Sequence, residues 1–287
     1  MGVKKGRELN TIALVSVLTV LSVICFILIY NGILNEYNAQ ILTFAGIYII
    51  IGLGLNLITG FTGQLALGQA GFMAIGAYAT AISVMRFHVP LFFAILIGGL
   101  FTAVFGVLIG FPTLRLRGDY LAITTLAFGE IISGIMINLE SLTGGAAGLY
   151  GVPPFNSEDY KLNGILAYVW VYAFVIFTVI LISNLIKSSH GRAIISIRED
   201  EIAANSMGVN APYYKMFAFT MSAFLAGIGG GLYATCMGYL NPTMFGFMKS
   251  VDIVVIVVLG GMGNIIGTII SAVVLTFLQE KLRFLQD

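Results

Sequence analysis

Long apolar blocks alternate with short polar breaks along this chain, and most of the blocks have the length of a membrane crossing. A spanning helix takes about 20 mostly apolar residues. Blocks of that kind fall at 11–30, 41–58, 65–85, 91–111, 120–138, 165–186, 214–236 and 251–278. The pattern predicts eight crossings. Gly260-Gly261-Met262-Gly263-Asn264 interrupts the last block. That block reads either as one crossing made of two half-helices or as a re-entrant segment followed by a span, so nine or ten crossings stand as the alternative. The polar break at 187–210, KSSHGRAIISIREDEIAANSMGVN, lies between two such blocks. Within it Ile195, Ile202 and Val209 fall seven apart, with Ala203 and Met207 beside them and Arg198, Glu199, Asp200 and Glu201 on the other faces. This predicts one amphipathic helix bracketed by Gly191 and by the run Gly208 to Pro212.

Composition narrows the class. The chain is 59% hydrophobic and 9% charged, with a mean hydropathy of +0.99, whereas soluble domains carry about 25% charged residues. A soluble globule is excluded, and lipid is the expected solvent. The expected fold is all-α: a polytopic transmembrane helical protein of about eight spans with broken helices, forming a single transmembrane domain over 1–287, with 188–212 as a cytoplasmic segment within it. Lys4, Lys5 and Arg7 precede the first block. That block is too long for a signal sequence and no small-residue cleavage site follows it, so a retained span is expected. With the N-terminus inside, Lys4, Lys5, Arg7, Arg115, Arg117, Lys187, Arg192, Arg198, Lys215, Lys281 and Arg283 fall inside. Only Arg86, Lys161 and Lys249 fall outside. This positive-inside bias predicts that both termini and the polar break face the cytoplasm. Such a chain is expected as a multi-pass protein of a cytoplasmic membrane.

The candidate chemistry is that of a conduit. The histidines His88 and His190 are far apart, and Cys25 and Cys236 stand alone in apolar runs. Neither a metal site nor a catalytic set is indicated. No Gly-Lys dipeptide occurs, so a phosphate-binding P-loop is excluded and no cofactor is expected on this chain. The net charge of +1 does not point to nucleic acid. Asn56, Thr59, Gln64 and Gln69 alternate with glycines at the junction of two spans. Polar groups and broken backbone at membrane depth survive only where protein or a watery cavity covers them. The run therefore lines a pathway, with half-helix N-termini facing an anionic group, or packs in a turn. Glu130, on a predicted span with Thr124 and Thr125, has no basic residue in that span. Intramembrane acids are functional candidates because each costs about 2.5–3.5 kcal/mol at a helix centre. Asp119 and Asp252 read as helix-start carboxylates. The polar break is acidic in its middle, which favours a protein partner over a lipid surface.

These stretches resemble a known family. The run from Gly52 through Asn56 to Gly60, then Gly63-Gln64, Gly68-Gln69-Ala70, Phe72 and Gly76-Ala77-Tyr78, is similar to the branched-chain amino-acid permeases of ABC importers. The run Leu116 to Ile131 and the group Leu142, Thr143, Gly144, Gly145 and Gly148 resemble the LivM-type subunit rather than its LivH-type partner. Gly191-Arg192, Arg198 to Glu201, Ala204 and Gly208 resemble the family's cytoplasmic coupling segment, and Leu259 to Gly267 fits its tail. Ser133 and Ala146 stand where relatives often carry Arg and Pro. The resemblance implies several partners: a homologous LivH-type permease, two cytoplasmic ATPase subunits that use the ATP, an extracytoplasmic amino-acid-binding protein, and membrane lipid. It implies ATPase coupling through Arg192, Arg198, Glu199, Asp200, Glu201, Ala204 and Gly208. The expected translocation pathway comprises Asn56, Thr59, Gln64, Gln69, Thr124, Thr125, Glu130 and Asn264. No enzymatic activity is expected of the chain itself. Related permeases carry urea or short amides, and a stand-alone secondary transporter or channel using Glu130 is the remaining alternative.

Overall fold

The computed structural model describes residues 2–32, 34–116, 118–155 and 160–282. Arg117 and Arg283, together with the side chains of Lys4, Lys5, Arg7 and Lys161, lie outside the described residues. The helices are α1 (Gly2–Tyr30), α2 (Glu36–Asn56), α3 (Gln69–Phe87), α4 (Leu91–Thr113), α5 (Asp119–Asn138), the short α6 (Glu140–Thr143), α7 (Tyr160–Lys187), α8 (Ser189–Glu199), α9 (Glu201–Ser206), α10 (Ala211–Met237), α11 (Phe247–Leu259) and α12 (Ile265–Leu282). A π-turn, Leu57–Phe61, extends α2. Two short strands, β1 (Leu149–Tyr150) and β2 (Tyr239–Leu240), pair antiparallel.

Nine of the described segments are long and apolar enough to cross a membrane. The expected count of eight rises because the last apolar block is two helices. Residues 260–264 form a complete reversal rather than a mid-span interruption. Gly261 and Gly263 adopt positive φ there, at 85° and 83°. Gly260 and Gly267 press backbone to backbone: a Cβ on Gly267 would lie 1.8 Å from the Gly260 oxygen. Only glycine supplies both features without strain.

The extra crossing also changes the expected position of the C-terminus. At one end of α2, Asn56 meets Asn264 and Thr268 at the start of α12. At the other end, Tyr37 donates to Glu280 near the end of α12. The two helices are therefore antiparallel along their full length. The end of α12 lies on the face opposite the polar break, not beside it.

The core forms where α10 packs against α3 and α4, while α2 is enclosed by α7, α10, α11 and α12. Ile47, Ile49, Ile50, Ile51, Leu53 and Leu55 are all fully buried on α2. Lipid supplies no hydrophobic drive between helices, so close contact of small residues takes its place. A Cβ on Gly76 of α3 would stand 2.3 Å from the Gly227 Cα of α10, and one on Gly227 would stand 2.5 Å from Thr102 Oγ1 of α4. By contrast α1, α4 and α5 keep broad exposed apolar faces, including Val17, Leu100, Leu108, Ile123 and Ile131. Asp119 begins α5 without a side-chain cap, its carboxylate placed in the first turn to oppose the helix dipole. Asp252 sits in the second turn of α11 rather than at its start, and accepts from Gln279 Nε2 at 3.2 Å.

Candidate functional site

Residues 187–210 do not form one helix. Asp200 takes an extended conformation, with φ −158° and ψ 109°, and splits the segment into α8 and α9. Its carboxylate accepts from Ile202 N at 2.8 Å and Ala203 N at 3.0 Å, which caps α9. Asn205 Oδ1 accepts from Ala211 N at 3.2 Å, and Asn210 Oδ1 accepts from Tyr213 N at 3.2 Å to cap α10. Val209 N returns to Ala204 O at 3.0 Å across Gly208, whose φ is +85°. The polar side chains of the segment thus fold it into an elbow. Ile194 and Ile197 of α8 turn inward, and Ala204 packs with Ile197 and Ala211.

Several of the expected coupling residues are engaged within the chain. Glu201 pairs with Lys215 at 2.8 Å, and the Lys215 side chain is only 8% exposed. Arg192 donates to Ser189 Oγ at 2.8 Å and to Lys187 O at 3.3 Å. Arg198 Nη1 donates to Gly60 O at 2.9 Å. Glu199 is largely exposed, 3.9 Å from Arg198 Nε. The break at Asp200 turns two apolar side chains outward: Ile202 is 74% exposed and Met207 85%. The seven-residue spacing predicted one continuous amphipathic helix, and the cap at Asp200 turns α9 out of register with α8.

Arg198 leads into a buried knot. Asn56, fully buried at the end of α2, accepts from Gly263 N at 2.8 Å and donates to Thr268 Oγ1 at 2.9 Å and Asn264 O at 3.2 Å. The Arg198 guanidinium lies over the same turn: a Cβ on Gly263 would be 2.9 Å from Nη1, and one on Gly63 would be 3.1 Å from Cγ. Asn56 and Asn264, expected along a pathway, therefore stand where α2, the α11–α12 turn and the elbow meet.

The other expected pathway residues cluster at the unwound stretch before α3. Thr125 Oγ1 accepts from Leu67 N at 3.0 Å, and Ser250 Oγ accepts from Ala70 N at 3.2 Å. These hydroxyls occupy backbone donors at the start of α3 that a half-helix N-terminus was expected to offer to an anion. Gln69 Nε2 donates to Ser222 Oγ at 3.2 Å, and Thr124 Oγ1 bonds back to Tyr120 O in its own helix. Thr59 Oγ1 and Gln64 Oε1 are buried without a hydrogen-bond partner among the described residues. Glu130 stands apart, exposed in an open cleft between α5 and α11 that also holds Lys249 and Asp252.

Sequence reading missed Lys215, Lys249, Ser222, Ser250 and Thr268. The two lysines carried a signal, since each is a cation at the edge of an apolar block. The hydroxyls carried none, because their partners lie far away along the chain.

A family model described as "Branched-chain amino acid transport system / permease component" matches residues 37–286. The chain is 38% identical over 270 residues to the high-affinity branched-chain amino acid transport system permease protein LivM of Salmonella typhimurium, and equally to that of Escherichia coli. Those alignments cover 86% of this chain and 64% of each relative, so the chain spans less than two-thirds of their length. It is 24% identical to the probable branched-chain amino acid transport permease protein LivM of Methanocaldococcus jannaschii, over 79% of this chain and 75% of that one. No solved structure matches the chain.

Proposed function

This chain belongs to the family of permease components of branched-chain amino acid transport systems, and from that premise we propose that it is the membrane-spanning subunit of an ATP-driven importer of leucine, isoleucine and valine. The observation that carries the reading is the elbow. It is braced from within by Asp200, Asn205, Asn210 and the Glu201–Lys215 pair, yet it holds Ile202 and Met207 out to solvent. Ile202 and Met207 are the large apolar side chains this otherwise polar segment leaves exposed, and they suit a surface that another protein covers. A groove in a cytoplasmic ATPase subunit suits those tips, with the acidic Glu199 at its rim.

In this mechanism the ATP is hydrolysed by two partner subunits. Their closure pushes on α9, and the rigid elbow passes the displacement to α10 through Lys215 and to the α2 and α11–α12 junction through Arg198. A homologous permease covers the exposed faces of α5 and α11, and the translocation route runs between the two. An extracytoplasmic binding protein delivers substrate to the face that carries the β1–β2 pair.

The test is Met207→Asp in the co-expressed importer. Met207 is 85% exposed, so the variant should fold and pair with the second permease as the parent does. ATP-driven leucine uptake and ATPase co-purification should both fall at least about tenfold, the loss of one buried interface anchor. Unchanged uptake refutes the docking role. Gradient-driven uptake by the single chain in liposomes, with no ATPase present, replaces the whole reading with a stand-alone carrier.

A further inference from the structure

The cleft between α5 and α11 takes no part in the elbow or the knot. It encloses about 480 Å³ and brings Glu130 together with Lys249 and Asp252, beside Met244, Phe247 and Met248. Its charges fall within apolar segments long enough to cross a membrane. Lys249 contacts Tyr48, which is twelve residues into α2 and so about 18 Å from that helix's outer end. Glu130 is eleven residues into α5, about 16 Å from that helix's first residue and about 12 Å from its last. Ionised side chains at such depth are costly and mark function unless they pair with each other.

These two do not pair. Neither Lys249 nor Glu130 joins an ion pair with a described residue, whereas Arg198 and Lys215 each do so at the elbow. Lys249 is anchored instead by aromatic groups. Its ammonium donates to the Tyr48 hydroxyl and lies 4.8 Å from the Tyr48 ring centroid and 5.6 Å from that of Tyr233. Ring faces hold the charge in place without neutralising it, and one of its three N–H donors is used, leaving two. Glu130 accepts no hydrogen bond from any described residue and is exposed within the cleft. Asp252 is held by Gln279. A cation and an anion, each with open hydrogen-bonding capacity and kept apart across one cavity, form the complement of a zwitterion. The methionines and Phe247 beside them supply an adaptable apolar wall suited to branched side chains of differing shape.

We propose that this cleft is where an α-amino acid pauses in the membrane, with its carboxylate on Lys249 and its ammonium on Glu130. The proposal rests on the importer reading and deepens it, naming the residues that recognise the substrate's charged end. The probe is photo-leucine, a leucine analogue with a side-chain diazirine, illuminated on the complete importer and mapped by mass spectrometry. Adducts are expected at Met244, Phe247 or Met248. Leucine should compete for them, whereas leucinamide and 4-methylpentanoate, each lacking one of the two charges, should not. Lys249→Met and Glu130→Gln should each lower the kcat/KM for leucine uptake at least about tenfold, as loss of a charged hydrogen bond does, and should abolish the adduct. Lys249→Arg and Glu130→Asp should restore most of both.

Adducts confined to other segments, or uptake within twofold of the parent in both neutral variants, would overturn the cleft assignment and leave the importer reading standing. Loss of co-purification with the second permease in the neutral variants would also overturn it, since the charges would then be interface partners. A parent importer that moves no leucine at all defeats both readings together.

Discussion

Replacing Asn56 with alanine should weaken the joint between α2, the α11–α12 turn and the elbow without altering substrate recognition. The size of the effect follows from which bonds are lost. Asn264 O keeps the Thr268 backbone N–H at 3.1 Å and the Thr268 hydroxyl at 2.8 Å, so it stays satisfied. Gly263 N–H, which donates to Asn56 Oδ1 at 2.8 Å, becomes the one orphaned donor. An unsatisfied buried donor costs about 1–3 kcal/mol, and the space left by the amide at this fully buried position adds about 1 kcal/mol. The expected loss is about 2–4 kcal/mol. Heat challenge of the purified chain in detergent, read as the monodisperse fraction retained, should show a clearly lowered midpoint. A double-mutant cycle with Thr268→Val should return a coupling of about 1 kcal/mol, one neutral hydrogen bond. Asn56→Asp should do no better than alanine. It keeps the acceptor but sets carboxylate oxygen against Asn264 O and Thr268 Oγ1, the two groups Asn56 now donates to. A variant with the parent's heat stability and a changed KM for substrate would refute this reasoning and return Asn56 to the pathway.

Glu201→Gln should leave the buried Lys215 ammonium poorly paired; Glu201 is 28% exposed, which trims the cost to about 1–3 kcal/mol. Hydrogen exchange over 200–210 should quicken, and adding Lys215→Met should slow it again. Gly76→Ala should force α3 and α10 apart and cost more than about 2 kcal/mol, because its Cβ meets Gly227 backbone at 2.3 Å, whereas Gly134→Ala, with nothing within 4 Å, should be neutral or slightly stabilising by the same heat assay. Cysteines at Ser206 and Lys281 should react with an impermeant maleimide from opposite faces of sealed vesicles, and labelling from one face would refute the antiparallel α2–α12 arrangement.

The spans were legible because lipid imposes a strict rule: every backbone group must be satisfied within a helix about 20 apolar residues long. That rule identifies apolar blocks but not reversals inside them, so a 13-residue α11 and an 18-residue α12 read as one block. Glycines at 260, 261 and 263 flagged the irregularity without saying whether the chain paused or turned back. The elbow was half legible. Asp200 followed by Glu201, Ile202 and Ala203 is a helix-start signal, and reading it as such would have split the segment and exposed Ile202. What no local pattern held was the destination of the polar side chains. Asn56 reaches residues more than 200 positions away, Gln69 reaches Ser222, and Thr125 serves Leu67. Inside a membrane a polar side chain that packs and one that lines a route have the same composition, and only the tertiary partners separate them.

Those partners also relate the two candidate sites to each other. α11 begins with Lys249 and Asp252 in the cleft and ends in the turn where Gly263 lies against Asn56 and the Arg198 guanidinium. Its 13 residues span about 20 Å, and Ile253, Ile256 and Val257 seat one face of it in the core. A helix held at its inner end by the elbow and carrying the cleft's cation at its outer end is short enough to move as one piece. Because the Asn56 knot fastens that turn to α2, a push on α9 that reaches Arg198 cannot shift α2 alone. It must carry the end of α11 with it, and with that end the position of Lys249 relative to Glu130 on α5. On the proposed reading, the spacing of Lys249 and Glu130 is set by the same contacts that brace the elbow. On that reading an ATPase docked at α9 governs the proposed cleft without touching it.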